Sequence, residues 1–200
     1  YARDGFTALI HGKHYHEEPK ATSSQVTKYA GGKYVVVRDM GEARVLCDYI
    51  EGRGARDDVV ARFGDKMSPG FDPNTDLQRV GVANQTTMLS GESLAIAAEV
   101  GKSMARRWGD AALKEHFRTF DTICSATQER QDAVLKLIAD PIDLMVVIGG
   151  YNSSNTTHLA AICQEKVPTY HIEDAACIDV EDGSIRHRPV GQSAETRREG

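Results

Sequence analysis

The chain has four cysteines in 200 residues, and no two of them form a C-x-x-C pair. This excludes zinc-ribbon and thioredoxin-type motifs. No charged segment followed by an apolar one opens the sequence, so we expect no signal peptide and hence reduced, cytosolic thiols. Cys47 and Cys163 lie in apolar helical patterns and are predicted to pack in the core, whereas the pattern around Cys177 leaves its role open.

The sequence also lacks a long hydrophobic run and an excess of basic residues. The longest apolar run, residues 142–148, is interrupted by Asp143 and is far shorter than the roughly 20 residues needed to cross a bilayer. Lys and Arg number 24 against 29 Asp and Glu, which gives a net charge of −5. We therefore predict an ordinary globular chain with neither a membrane nor a nucleic-acid partner.

Short β-rich runs alternate with amphipathic helical patterns along the chain. Strands are predicted at residues 6–10, 34–38, 79–83, 117–122, 142–148 and 169–172. Helices are predicted at 41–51, 91–108, 128–139 and 154–166, with a further candidate at 56–66. The alternation is typical of the α/β class, with parallel sheets and crossover helices.

Four further expectations concern the organisation of the chain. The apolar run 142–148 is predicted to be a central, doubly buried parallel strand, and the Gly-, Asp- and Arg-rich segment 52–73 a peripheral insertion. A boundary near residue 120 separates two βα clusters. Because the chain begins at Tyr1 and ends in a polar stretch, 193–200, without an obvious closing element, we expect trimmed ends or an interior piece of a longer protein.

Polar motifs follow four of the predicted strands. They are HGKHYHEE at 11–18, NQTT at 84–87, CSAT at 124–127 and GGYNSSN at 149–155. Because ligands bind outside the carboxyl ends of parallel strands, four chemically rich loops at such ends indicate a binding or catalytic site rather than core packing.

Each motif alone leaves alternatives open. The Gly149–Asn155 loop precedes a helix, so its hydroxyl and amide groups favour anion binding, although simple helix capping is the competing interpretation. The His- and Glu-rich turn can serve acid–base chemistry, hold a metal or be a hydrated loop. Residues 84–87 can orient a polar ligand or start a helix, and Cys124 can ligate a metal, act as a nucleophile or be neither.

Taken together, four stretches resemble the 4-hydroxy-3-methylbut-2-enyl diphosphate reductase (LytB) family, in its cyanobacterial and plastid-like form. They are IHGKHYHEEPKAT, GVANQTTMLSGE, FDTICSATQERQDAV and GGYNSSNTTHL, in the family's order. The resemblance implies three Rossmann-like α/β modules with parallel sheets around a central iron–sulfur cluster. Residues 1–120 resemble the second module, and residues 121–200 the start of the third, incomplete at its C-terminus.

The resemblance also implies roles for individual residues. Glu18 resembles the acid that protonates the leaving hydroxyl, Thr86 lies near that hydroxyl, and Gln85 flanks it. Cys124 resembles one of three cysteine ligands of a four-iron, four-sulfur cluster. The residues that resemble substrate diphosphate ligands are His16, Ser153, Ser154 and Asn155.

The implied activity is reductive dehydroxylation of an allylic diphosphate to isopentenyl and dimethylallyl diphosphate, the last step of the non-mevalonate isoprenoid pathway. The resemblance implies ferredoxin or flavodoxin as electron donor, in a bacterial cytoplasm or a plastid stroma. Two cluster cysteines, two histidines and a serine loop of the family are missing here, so we expect this piece alone to be inactive. The alternatives are a quinolinate synthase-like iron–sulfur enzyme and a non-catalytic anion-binding α/β domain.

Overall fold

A computed structural model describes residues 1–120 and 125–199 of the chain. The chain divides into two compact units, Tyr1–Ile123 and Cys124–Gly200, and each is described separately. The predicted α/β class with parallel sheets is confirmed. The assignment of the two units to the second and third modules of the family remains a prediction.

The first unit is built on a four-stranded parallel sheet in the order β2-β1-β3-β4. Its strands are β1 (Thr7–His11), β2 (Tyr34–Val37), β3 (Val80–Asn84) and β4 (Phe117–Thr119). Its helices are α1 (Glu17–Val26), α2 (Met40–Ile50), α3 (Arg56–Phe63), α4 (Pro73–Asp76), α5 (Ser90–Trp108) and α6 (Leu113–His116).

Both faces of this sheet are covered, as the side chains of β1 show. Leu9 lies in the larger core, to which α2 and α5 contribute Leu46 and Ile96. The alternate β1 residues, Ala8 and Ile10, lie in a second, smaller core on the opposite face. Burial on both faces is the usual environment of parallel strands. The parallel pairing places the carboxyl ends of β1 and its neighbours at the same edge of the sheet.

Segment 52–73 is not a peripheral insertion, and that prediction was wrong. Val59 and Phe63, one turn apart on α3, are fully buried in the larger core. Met67 then forms an isolated antiparallel bridge with Val35 of β2. The Gly-, Asp- and Arg-rich composition hid this role, because two apolar residues at helical spacing are enough to anchor a short helix.

Helix α1 was not expected from the sequence. Pro19 and the run Thr22, Ser23 and Ser24 oppose a helix in an isolated segment. Proline is nevertheless tolerated in the first turn, where its missing N–H would have no intrahelical acceptor. Glu17 and Glu18 stabilise the same turn through the positive end of the helix dipole. The predicted polar turn 11–18 is therefore a strand end, a short loop and a helix start.

The second unit contains a parallel pair and an antiparallel meander. Strands β5 (Met145–Ile148) and β6 (Thr169–Ile172) form the parallel pair, with α7 (Ser125–Leu137) and α8 (Ser154–Gln164). The meander consists of β7 (Ile178–Asp179), β8 (Ser184–His187) and β9 (Thr196–Glu199).

Two expectations for this unit were wrong. Within the described residues β6 is the strand hydrogen-bonded to β5, and Leu144 and Ile148 are exposed, so the run 142–148 is not a doubly buried central strand. The polar end of the chain does contain a regular element, since β9 pairs with β8 from Thr196 opposite His187 to Glu199 opposite Ser184. Backbone pairing, rather than apolar side chains, defines that strand.

Candidate functional site

Two loops of the first unit leave the sheet at the same edge. The last residues of β1 and β3, His11 and Asn84, are register partners. Immediately beyond them, the Gln85 N–H donates to the His11 carbonyl at 2.7 Å. The backbone N–H of Lys13 donates to the Gln85 side-chain oxygen at 3.1 Å. The sheet thus brings together the HGKHYHEE and NQTT motifs, as expected for carboxyl ends of adjacent parallel strands.

His16 lies at the point where the first loop becomes helix α1. It is the N-cap residue, and its Nδ1 accepts a hydrogen bond from the Glu18 N–H at 3.3 Å. Because Nδ1 is an acceptor, the neutral ring carries its proton on Nε2. The side chain is half-buried. The hydrogen bond thus orients the imidazole through Nδ1. Its Nε2–H is a donor of the kind that binds an anion at a helix start.

Glu18 and Thr86, 68 residues apart, form a two-point contact. The Thr86 backbone N–H donates to Glu18 Oε1 at 2.6 Å, and the Thr86 hydroxyl donates to Oε2 at 3.1 Å. Both residues are half-buried. A carboxyl held at both oxygens has a fixed orientation, and a hydroxyl bonded to it can pass a proton onward. The pair is therefore suited to general acid–base chemistry.

The small size of Gly12 allows the two loops to approach so closely. A Cβ at this position would lie 2.9 Å from Pro19 Cγ in the first turn of α1. It would also lie 3.0 Å from both Cβ and Oε1 of Gln85. Gly12 therefore sets the separation between the helix that carries Glu18 and the loop that carries Thr86. The sequence signal for this role is a glycine between a buried strand and a polar loop.

Gln85 is 1% exposed, and its side chain connects the loop after β1 to the loop after β3. The amide nitrogen donates to the Thr87 hydroxyl at 2.8 Å, while the amide oxygen accepts from Lys13 as described above. This arrangement favours a role in holding the loops together over the direct substrate contact implied by the resemblance.

The other members of the His- and Glu-rich turn are dispersed. His11 is fully buried, with Nδ1 2.8 Å from the Ser93 hydroxyl and Nε2 3.9 Å from a Glu92 carboxylate oxygen. Burial raises the pKa of Glu92. His14 lies 3.6 Å from Asp65 at the surface. Over residues 1–120 and 125–199, no three His, Cys, Asp or Glu side chains converge as a metal site would require, so the metal interpretation of this turn is not supported.

In the second unit, the GGYNSSN motif connects β5 to α8. Ser153 is the N-cap of α8 and accepts hydrogen bonds from the Thr156 N–H at 3.2 Å and the Thr156 hydroxyl at 2.9 Å. Ser154 is buried, and the enclosed Asn155 Oδ1 has no hydrogen-bond partner within the described residues. Capping therefore explains Ser153 but not its two neighbours, which occupy the helix start where anions bind.

Gly149 is required by the close approach of the strand to that helix. A Cβ at Gly149 would lie 2.8 Å from Thr156 Oγ1 and 3.0 Å from Thr156 Cγ2. At Gly150, by contrast, a Cβ would meet no atom within 4 Å. The two glycines thus differ in function, and the first one sets the distance between the end of β5 and the first turn of α8.

The described cysteines do not form a cluster site. Cys47 and Cys163 are buried, as predicted, and burial raises the pKa of both thiols, to about 11 for Cys47. Cys177 is also buried, and hydrogen bonding from the Asp174 backbone lowers its pKa. The predicted ligand, Cys124, lies outside the described residues. The described residues alone therefore do not fit an iron–sulfur cluster.

The fold and the loops define an α/β protein with an acid–hydroxyl pair at the carboxyl edge of a parallel sheet. A sequence model of the LytB protein family matches residues 1–194, and the chain belongs to this family. The predicted family is thereby confirmed, and the quinolinate synthase-like alternative is overturned.

Curated relatives agree with this assignment. The chain is 50% identical over 193 residues to a 4-hydroxy-3-methylbut-2-enyl diphosphate reductase of Synechococcus sp. strain WH7803. The matched region covers 96% of this chain and 47% of the relative. The chain is 52% identical over 189 residues to the enzyme of that name from Thermosynechococcus vestitus, with coverages of 94% and 46%. The chain thus spans about half the length of these relatives.

The E-1-hydroxy-2-methyl-but-2-enyl-4-diphosphate reductase from Plasmodium falciparum has a similar fold. Its TM-score is 0.58 at 20% identity, over 90% of this chain and 45% of that one. This similarity supports the fold. Among the described helices, none is long and apolar enough to cross a membrane.

Proposed function

We propose that this chain is part of a protein that catalyses the reductive dehydroxylation of 4-hydroxy-3-methylbut-2-enyl diphosphate to isopentenyl and dimethylallyl diphosphate. The observation that carries the proposal is the two-point hydrogen bond between Glu18 and Thr86 at the edge of the sheet. The names of the curated relatives support it, since they match nearly the whole chain at about 50% identity.

Glu18 is the proton donor in this proposal. Replacing the substrate hydroxyl by hydrogen consumes two electrons and two protons and releases one molecule of water. The C–O bond breaks more easily when the departing oxygen receives a proton, because water is a far better leaving group than hydroxide. A carboxyl oriented by Thr86 can deliver that proton, and the threonine hydroxyl can relay it or hold the departing oxygen.

The diphosphate requires donors, and two regions of the chain offer them. His16 presents an imidazole at the start of α1, and the Ser153, Ser154 and Asn155 loop opens α8. Helix N-termini combine N–H donors with a positive dipole end, which favours phosphate oxygens. We assign these four residues to diphosphate binding and assign Gln85 to holding the loops of the first unit.

The electrons require a redox group that the described residues do not provide. We propose that Cys124 is one of three cysteine ligands of a four-iron, four-sulfur cluster, with two further ligands outside this chain. When bound, that cluster would supply the electrons, received from ferredoxin or flavodoxin. We further propose that the activity belongs to a bacterial cytoplasm or a plastid stroma, which the similarity to cyanobacterial relatives supports.

Replacement of Glu18 in the full-length protein that carries this chain tests the proposal. Glu18→Gln keeps the size of the side chain and removes the transferable proton, so we expect kcat to fall by about 10² to 10⁴ with KM changed less than about threefold. Turnover is followed with a chemical reductant and the allylic diphosphate.

Glu17→Gln is the matched control, because Glu17 lies in the same first turn but is exposed and pairs with Lys20 at 3.1 Å. It should retain at least half of the wild-type kcat. Near-normal turnover of Glu18→Gln would remove the acid role. A wild-type protein that binds pyrophosphate but never reduces the substrate would instead support the non-catalytic anion-binding alternative.

A further inference from the structure

The turn that leads to the Ser153–Asn155 loop is fastened to the neighbouring strand β6. Gly149 extends the parallel ladder by one residue, since its N–H donates to the Ile172 carbonyl at 2.9 Å. The Gly149 carbonyl accepts a hydrogen bond at 2.9 Å from Nε2 of His171, a buried histidine on the same strand. Burial lowers the pKa of His171, so the ring is neutral and donates from Nε2. Both backbone groups of Gly149 are thus held by β6.

The next residue but one, Tyr151, is held from two sides. Its ring packs edge-on against His171, with 5.0 Å between ring centroids and 75° between planes. The guanidinium of Arg188 lies 4.4 Å from the centroid of the same ring and donates a hydrogen bond to the Tyr151 carbonyl. Arg188 is itself fixed, because its backbone N–H donates to the His171 carbonyl at 2.9 Å. His171 and Arg188 therefore form one clamp on the turn.

The clamp acts on the segment that determines where the diphosphate donors lie. The Ser153 N–H donates to the Gly150 carbonyl at 2.9 Å, which closes the turn, and α8 begins at the following residue. Two adjacent glycines would otherwise leave this turn many conformations, and ordering them on binding would reduce affinity. Fixing the carbonyls of Gly149 and Tyr151 removes that freedom before a ligand arrives.

We propose that His171 and Arg188 are positioning residues that hold the Gly149–Tyr151 turn and thereby pre-organise Ser153, Ser154 and Asn155 for diphosphate. The inference rests on the proposed function in one respect, namely that this loop binds the substrate diphosphate. It adds two residues that lie outside the four stretches by which the sequence resembles the family.

Inorganic pyrophosphate titrated calorimetrically into the full-length protein tests this inference, together with steady-state kinetics. His171→Phe keeps an aromatic ring beside Tyr151 but cannot donate to the Gly149 carbonyl. We expect the Kd for pyrophosphate and the KM for the substrate to rise about tenfold, the equivalent of one lost hydrogen bond. The kcat should stay within about twofold, because Glu18 and Thr86 belong to the other unit.

His187→Phe is the matched control. His187 lies on β8 of the same unit and packs edge-on against a different tyrosine, Tyr170, at 4.9 Å and 86°. This variant shows how much pyrophosphate affinity changes when a histidine that contacts a tyrosine is replaced without any loss of the Gly149 hydrogen bond. Pyrophosphate affinity should remain within about twofold of wild type. Equal losses in the two variants, or an unchanged affinity in His171→Phe, would overturn the inference.

Two further variants keep the test decisive if His171→Phe folds poorly. His171→Gln retains a donor and should recover most of the pyrophosphate affinity. Arg188→Lys keeps the charge but loses the planar guanidinium over Tyr151, and should weaken pyrophosphate binding by about three- to tenfold. Wild-type affinity in Arg188→Lys with no recovery in His171→Gln would refute the clamp. If the wild-type protein reduces the substrate but does not bind pyrophosphate, the proposed function stands and this inference fails. If it binds pyrophosphate but does not reduce the substrate, the proposed function fails, and the effect of His171→Phe on pyrophosphate affinity still decides the inference.

Discussion

The two units hold their functional loops in different ways. In the first unit, the first turn of α1 and the loop after β3 bind each other directly, through Glu18 and Thr86. They lie at the edge of a four-stranded sheet whose strand β1 is buried on both faces. In the second unit, the Gly149–Asn155 loop follows a two-stranded sheet whose last β5 residue, Ile148, is exposed. The side chains of His171 on β6 and of Arg188, the residue after β8, hold the start of this loop instead.

The difference suits the chemistry that each unit is proposed to perform. A proton donor must be placed to within a fraction of an ångström, because small displacements of reacting groups cost large factors in rate. A fully packed core provides that precision. Diphosphate is large and highly charged and accepts donors from several directions, so a loop positioned by a few polar contacts is sufficient.

The largest effect expected from this comparison is on stability. Phe63→Ala removes a fully buried ring from the larger core of the first unit and should lower the free energy of unfolding by about 3–5 kcal/mol. The single tryptophan, Trp108, packs against that core, so its fluorescence during denaturant unfolding reports the first unit.

Two exposed residues serve as controls for this experiment. Leu94→Ala, on the solvent side of α5, should change the Trp108-monitored transition by less than about 1 kcal/mol. Ile148→Ala in the second unit should leave the free energy of unfolding, measured by circular dichroism, within about 0.5 kcal/mol of the wild-type value. Similar losses for Phe63→Ala and Ile148→Ala would mean that the two units are not packed as differently as described.

A smaller effect, on catalysis, distinguishes the two loops through their glycines. In the full-length protein, Gly12→Ala should lower kcat by about ten- to a hundredfold, because the added methyl separates α1 from the Gln85–Thr87 loop. Gly149→Ala should mainly raise the KM for the diphosphate, by about tenfold, because its methyl displaces Thr156 and the first turn of α8. Steady-state kinetics with varied substrate separates these outcomes.

A second glycine of the same unit serves as the control for each substitution. Gly91→Ala in α5 and Gly150→Ala beside Gly149 place their methyl groups in open space, where no atom outside the adjacent backbone lies within 4 Å. Both variants should keep kcat and KM within about twofold of wild type. If Gly12→Ala changed KM alone, or Gly149→Ala changed kcat alone, the proposed division between proton transfer and diphosphate binding would be wrong.

The sequence predicted the parts of the fold that carry a periodic apolar pattern. The strand at 169–172 and the helices at 41–51 and 91–108 were found within a residue of their expected ends, since each has an apolar face that the core requires. Helix α1 has no such face and carries Pro19 in its first turn, so periodicity could not reveal it. The polar strands β8 and β9 are defined by backbone pairing, which leaves a weak sequence signal.

The candidate site was predictable where topology places residues together and unpredictable where single contacts do so. Adjacent parallel strands brought Glu18 close to Thr86, but the two-point contact between them depends on register and on the space that Gly12 leaves. His171 could not be identified from the sequence, because the atom it holds is a backbone carbonyl 22 residues away. Cys124 lies outside the described residues, and its role as a cluster ligand stays a prediction.

A double-mutant cycle on kcat tests most directly the claim that Glu18 and Thr86 work as one unit. Thr86→Val removes the hydroxyl but keeps the backbone N–H, and should lower kcat by about tenfold in the otherwise wild-type full-length protein. In the Glu18→Gln background the same substitution should have almost no effect, since the proton it helps to place is already absent. If the two substitutions instead lower kcat by independent factors that multiply, the hydrogen-bonded pair is not the catalytic unit.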